Sequence, residues 1–134
     1  MPNVDINWWA VAVATLINMG LGSLWYSRAM FGKEWAKLTG RKFEEMSDGV
    51  MGFGIAAVGA LFQAWVLAHF VQYAGSTSFW KGLVTAFWLW VGFVAFVTAT
   101  NMAFEGRSWK LWKINAGYVL LVLLVNGGLL AAWR

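Results

Sequence analysis

Four apolar stretches, each close to the length of a membrane span, constrain this chain more than any other feature. They run roughly over residues 7–27, 48–73, 79–103 and 109–133. A helix needs about 20 apolar residues to cross a hydrocarbon layer about 30 Å thick. Helix is also the state that pairs every backbone polar group within its own segment, which lipid cannot do. The expected fold is an all-α integral membrane protein with four transmembrane helices, in a single domain over residues 1–134. A hydrophobic share of 60% against 12% charged residues agrees, because a soluble domain of this size would expose large apolar patches. Eleven Trp fit the same picture, since indole rings favour the membrane–water interface.

The connections carry their own signals. Ser47 and Asp48 can cap the second helix, and Ser108 the fourth. Gly75-Ser76-Thr77 reads as a tight turn, and Gly106 suits the left-handed position that ends helix three. Short turns predict antiparallel hairpins. The long connection, Arg28 to Ser47, places Phe31, Trp35 and Leu38 on one side and Lys33, Glu34 and Lys37 on the other. That pattern predicts a short amphipathic helix in the interface plane, ended at Thr39-Gly40. The side holding this segment and the Arg107 turn carries Arg28, Lys33, Lys37, Arg41, Lys42, Arg107, Lys110 and Lys113; the other side carries Lys81 and Arg134. Such a bias predicts a cytoplasmic first side and extracytoplasmic termini, in the cytoplasmic (inner) membrane. Met1 to Ile6 contains Asp5 and no Lys or Arg, so a secretory signal peptide is not expected.

Several chemistries are disfavoured. With no Cys, thiolate nucleophiles and Cys-based metal or cluster sites are excluded, and with a single His, His69, a metal site would need carboxylate or carbonyl ligands. No metal, cofactor or catalytic residue is expected. The basic residues sit at membrane edges, so the net charge of +4 is not a nucleic-acid signal. No Asp, Glu, Lys or Arg falls mid-span, which argues against a proton-coupled antiporter. Small four-helix multidrug exporters depend on an acidic residue in their first helix, and this first helix has none.

Candidate sites remain, each with a plainer reading beside it. Gly52, Ala56, Ala60, Ala64 and Ala68 form a four-residue-spaced stripe on helix two, and Gly92, Ala95, Ala99 and Ala103 a second on helix three. Small residues let helix backbones approach closely, either inside the bundle or against another subunit. Asn18, Gln63, Asn101, Asn115 and Asn126 lie at membrane depth, as a polar path or as interhelical hydrogen-bond glue. His69 could bind a haem iron or relay a proton, and its plainer reading is a hydrogen-bonded side chain. Glu105, Arg107 and Lys110 are expected at one turn, with Glu105 and Arg107 paired and the basic pair open to an anionic lipid headgroup. Gly32-Lys33-Glu34-Trp35 and Gly106-Arg107-Ser108-Trp109 echo one another, by duplication or because both suit a cytoplasmic interface.

Asn7-Trp8-Trp9-Ala10-Val11, Trp25-Tyr26-Ser27, Phe31-Gly32-Lys33-Glu34-Trp35, Thr100-Asn101 through Phe104-Glu105-Gly106-Arg107-Ser108, and Ile114-Asn115-Ala116-Gly117-Tyr118 resemble the bacterial membrane family called domain of unknown function 1761. The resemblance covers nearly the whole chain. It implies a bacterial four-helix protein of the cytoplasmic membrane and brings no activity, substrate or cofactor. Arg28 stands where the family pattern has Pro, so the exit from helix one is expected to differ. Three functions are expected in order. The first is a non-enzymatic, self-associating or accessory subunit of a membrane complex. The second is a small uncoupled channel or transporter, and the third a lipid- or cofactor-binding membrane protein. The expected partners are the bilayer, other copies or membrane subunits, and anionic lipid.

Overall fold

Asn7 starts the first helix by accepting from the Trp9 and Ala10 amides at 3.1 and 3.2 Å, satisfying donors that lipid would leave bare. The computed structural model describes residues 2–41 and 49–134. Its elements are α1 (Trp8–Trp25), α2 (Gly32–Thr39), α3 (Val50–Tyr73), α4 (Phe79–Glu105) and α5 (Trp109–Ala132). Among the described residues every regular element is helical. Helices α1, α3, α4 and α5 are long and apolar enough to cross a membrane. Ser47 and Asp48, expected to cap α3, lie outside the described residues.

The other ends follow from local chemistry. Gly75 and Gly106 take positive φ of 68° and 66°, which L side chains rarely adopt. Gly106 thereby ends α4, and the Arg107 amide closes on the Met102 carbonyl at 3.1 Å. Ser78 caps α4 through the Lys81 amide, and Ser108 caps α5 through the Lys110 amide. Helix α1 stops at Trp25, where Tyr26 and Ser27 turn the chain toward α2.

Helix α4 is not uniform. Val91–Ala95 widens into a π turn, which carries an extra residue. One added residue rotates the remainder of the helix by about 100°. Gly92, inside the turn, is exposed, whereas Ala95 is buried and Ala99 half-buried; Ala103, near the end of α4, is exposed. The stripe read along α4 therefore does not form one continuous inner face.

Helix α5 is the hub. Half of its apolar window is buried, against 17–22% for α1, α3 and α4. It packs most extensively on α4, then on α1 and α3. The α4–α5 seam is made of small residues: Gly82 and Ala86 face Gly127 and Ala131, while Phe79 covers Gly128. A Cβ on Gly127 would stand 2.6 Å from the Ala86 Cβ, so the two backbones touch. Across the bundle, Ala10, Val11 and Ala14 join Ala64, Leu67, Ala68 and Val71 in one core cluster.

Candidate functional site

Polar groups that cannot be hydrated must find one another, and here they do so in separate nodes. At mid-bundle the Tyr118 hydroxyl donates to Asn18, reaching its carbonyl at 2.9 Å and its side-chain oxygen more closely still. Asn18 Nδ2 in turn donates to Gln63 Oε1 at 2.9 Å. Three helices are thus joined by one directional chain, from α5 through α1 to α3. Gly22 makes room for it, since a Cβ there would come within 2.8 Å of the Tyr118 hydroxyl.

A second node sits where α1 ends. The Tyr26 hydroxyl donates to Asn115 Oδ1 at 2.8 Å, and Trp25 Nε1 donates to the Ile114 carbonyl at 2.9 Å. Trp25 packs on Phe31 with centroids 4.6 Å apart, and Tyr26 meets Trp35 and Tyr118 edge-on. Trp90 Nε1 likewise donates to the Ala116 carbonyl at 2.9 Å, and Trp112 Nε1 to Thr98 Oγ1 at 2.8 Å. These indoles act as interhelical ties on α5, a role their expected interfacial preference does not disclose.

Asn126 is 1% exposed. Its Nδ2 donates to the Ala14 carbonyl at 3.0 Å, and its Oδ1 is buried without a partner among the described residues. Asn101 is exposed, and none of these bonds involves it. The five amides singled out from sequence therefore divide among three nodes and one surface position.

The charged turn is assembled differently from its sequence outline. Arg107 and Glu105 pair at 3.7 Å, both about half exposed. Lys110 turns instead to Glu34 of α2, at 3.0 Å. The Lys110 ammonium, by hydrogen bond and then by charge, holds the Glu34 carboxyl below the usual carboxylate range. The two echoing segments, 32–35 and 106–109, are thus adjacent, with Lys110 bridging from just beyond the second.

At the opposite end, the chain before α1 lies along α3. Gln72 Nε2 donates to the Asp5 carbonyl at 2.6 Å, and the Tyr73 hydroxyl to the Pro2 carbonyl at 3.1 Å. Buried His69 places Nδ1 2.8 Å from the Trp65 carbonyl, where it donates, and packs against the Trp65 and Tyr73 rings. Arg134 reaches the Ser76 carbonyl, and Ser76 and Thr85 share a hydroxyl contact at 2.7 Å. Among the described residues no three His, Asp or Glu side chains come together as a metal cluster.

Two surface features complete the picture. Ala60, Ala64 and Ala68 are buried, whereas Gly52 and Ala56 are exposed. Helix α1, which packs on α3, is the shorter: its 18 residues span about 27 Å, against about 36 Å for the 24 residues of α3. Among the described residues the N-terminal part of α3 exposes Val50, Met51, Phe53 and Ile55, and a Cβ added at Gly52, Gly54 or Gly59 would meet nothing within 4 Å. The second feature is a half-open groove of about 350 Å³ between α3 and α4, floored by Leu123 of α5. Its walls are Val66, Leu67, Phe70, Leu89, Phe93 and Val94, with Gln63 contributing an amide.

The family model described as a protein of unknown function (DUF1761) matches residues 9–131. No curated protein and no solved structure matches the chain.

Proposed function

This chain belongs to the DUF1761 family, and from its geometry we propose that it is a non-enzymatic membrane subunit that pairs with a second copy of itself through the N-terminal half of α3. The observation that carries the reading is the divided small-residue stripe. Ala60, Ala64 and Ala68 are buried, while Gly52 and Ala56 continue the four-residue spacing with no covering helix among the described residues. Lipid tails cannot match the dispersion contact of a helix backbone seated against small side chains. A stripe of this kind is complementary to its own copy about a two-fold axis.

In the arrangement we propose, the four long helices cross the cytoplasmic membrane as antiparallel hairpins. Helix α2 lies at the cytoplasmic interface and both termini are outside. The excess of Lys and Arg around α2 and the Arg107 turn supports that orientation. The contacts from Asn18 to Gln63 and from Gln72 to Asp5 support antiparallel α1 and α3. The Glu34–Lys110 pair supports an α2 anchored where α5 begins. A conducting amide path has less support, because Asn18, Gln63, Asn115 and Asn126 are engaged in separate interhelical bonds.

Association in liposomes tests the reading. Copies labelled with donor or acceptor dyes at a Thr77→Cys site should transfer energy above the random-proximity level, in linear proportion to the acceptor-labelled fraction, as a dimer requires. A Gly52→Leu, Ala56→Leu variant should reduce transfer to the random-proximity level. Wild-type protein that stays monomeric at every ratio would overturn the proposal.

A further inference from the structure

The groove between α3 and α4 is independent of the proposed pairing face, and the mid-bundle hydrogen-bond chain ends at it. We propose that this groove binds an uncharged, membrane-dissolved lipid bearing a carbonyl group, and that Gln63 Nε2 donates to that carbonyl. Tyr118 donates to Asn18, and Asn18 Nδ2 donates to Gln63 Oε1. This order commits the Gln63 oxygen to α1 and leaves its nitrogen without a partner among the described residues. The two amide heads diverge from one carbon, so a nitrogen opposite Asn18 is free to address the groove that Gln63 lines. A chain of aligned hydrogen bonds strengthens its terminal donor. An amide N–H left bare in hydrocarbon is costly, and an acceptor in the groove removes that cost.

The rest of the groove selects the carrier of the acceptor. Apart from Gln63 its lining is aliphatic or phenyl, so a charged headgroup has no counterpart there. Its volume of about 350 Å³ falls at the lower end of small-molecule sites, which begin near ~300 Å³. Phe70 and the 74%-exposed Phe93 place phenyl rings at the exposed side of the groove. Depth excludes ordinary phospholipid esters. Gln63 lies ten residues from the Tyr73 end of α3, or about 15 Å, which is half a hydrocarbon layer. Phospholipid carbonyls stay at the interface, whereas a lipid without a polar headgroup can bring its carbonyl to that depth. The π turn Val91–Ala95 supplies Phe93 and Val94 to the wall, and such turns recur at functional sites.

Native mass spectrometry of the full chain in lipid nanodiscs tests this with four probes: a decyl-substituted benzoquinone, a didecyl ketone, decylbenzene and decylcyclohexanol. A carbonyl probe should be held about tenfold more tightly than decylbenzene, the worth of one good hydrogen bond. Preference for the quinone over the ketone assigns the carbonyl to a ring, and the reverse assigns it to a chain; both support the site. Gln63→Leu should lower carbonyl-probe retention to the decylbenzene level and leave decylbenzene unchanged. Phe93→Ala, on the lipid face, should weaken quinone binding without touching the hydrogen-bond chain, and it decides the matter if Gln63→Leu does not assemble. Equal retention of carbonyl probes and decylbenzene would overturn the proposal. So would Gln63→Leu binding like the wild type, unchanged binding of every probe by Phe93→Ala, or tighter binding of decylcyclohexanol than of both carbonyl probes.

Discussion

Adding one methyl group at Gly127 should separate the two helices that make the tightest seam in the bundle. The new Cβ would lie 2.6 Å from the Ala86 Cβ and 2.8 Å from the Gly82 carbonyl oxygen, inside the 3.4 Å at which ordinary contact begins. Neither neighbour is the flexible end of a long side chain, so the backbones themselves must part. Overpacking of this kind costs about 1–3 kcal/mol. Helix propensity normally returns about 0.8–1.0 kcal/mol on replacing Gly by Ala. In a bilayer that return is small, because the separated helices stay helical. Gly127→Ala should therefore destabilise by about 1–3 kcal/mol. Gly20→Ala on α1 is the matched control: its Cβ meets nothing within 4 Å, and its effect should stay within about 0.5 kcal/mol. The assay is reversible unfolding by dodecyl sulfate in mixed micelles, followed by near-ultraviolet circular dichroism of the Trp side chains that tie α5 to its neighbours. Equal midpoints for Gly127→Ala and Gly20→Ala would refute a backbone-to-backbone seam.

Single contacts carry the other expectations. Tyr118→Phe removes the donor that starts the Asn18–Gln63 chain and should cost about 1–2 kcal/mol in the same titration; no change would mean the chain is not structural. Asn126→Leu removes an oxygen buried without a partner among the described residues, together with the bond to Ala14, so its effect should stay within about 1 kcal/mol; a loss several times larger would show that Oδ1 has a partner. The Glu34 carboxyl is held low by Lys110, so the pair's contribution is present above the ordinary carboxylate range and is lost as pH falls through the lowered folded value. Carbon-detected NMR of Glu34 should show its titration rise toward the ordinary value in Lys110→Gln, and an unmoved titration would contradict the pairing.

The four long helices were legible because about 20 apolar residues in a row have few other folds available. Their arrangement was not. Helices α3, α4 and α5 are equally apolar by hydropathy, yet only α5 is half buried. In lipid an apolar residue is content facing outward or inward, so hydropathy carries no mark of the hub. The Gly82–Ala86 and Gly127–Ala131 spacings are present in the sequence but shorter than the run from Gly52 to Ala68. That run divides into a buried part and an exposed one. The π turn has no signal in Val91-Gly92-Phe93-Val94-Ala95, and it breaks the stripe through Gly92 and Ala99. Glu105 and Arg107 are readable as neighbours across one glycine, whereas the partner of Lys110 is not, because Glu34 is remote in sequence. Tyr118 does not stand out beside the amides, although a phenol deep in a span needs a partner as much as an amide does.

Disulfide trapping tests the self-association of α3 most directly, since the native chain has no Cys to compete. Ala56→Cys, Ala60→Cys and Leu16→Cys would each be oxidised in intact membranes and resolved by non-reducing electrophoresis. Ala60 is buried, and Leu16 is exposed on α1. Pairing across the Gly52–Ala56 surface predicts a rapid covalent dimer for Ala56→Cys, little or none for Ala60→Cys, and only slow collisional product for Leu16→Cys. A rate at Ala56→Cys no greater than at Leu16→Cys would contradict it.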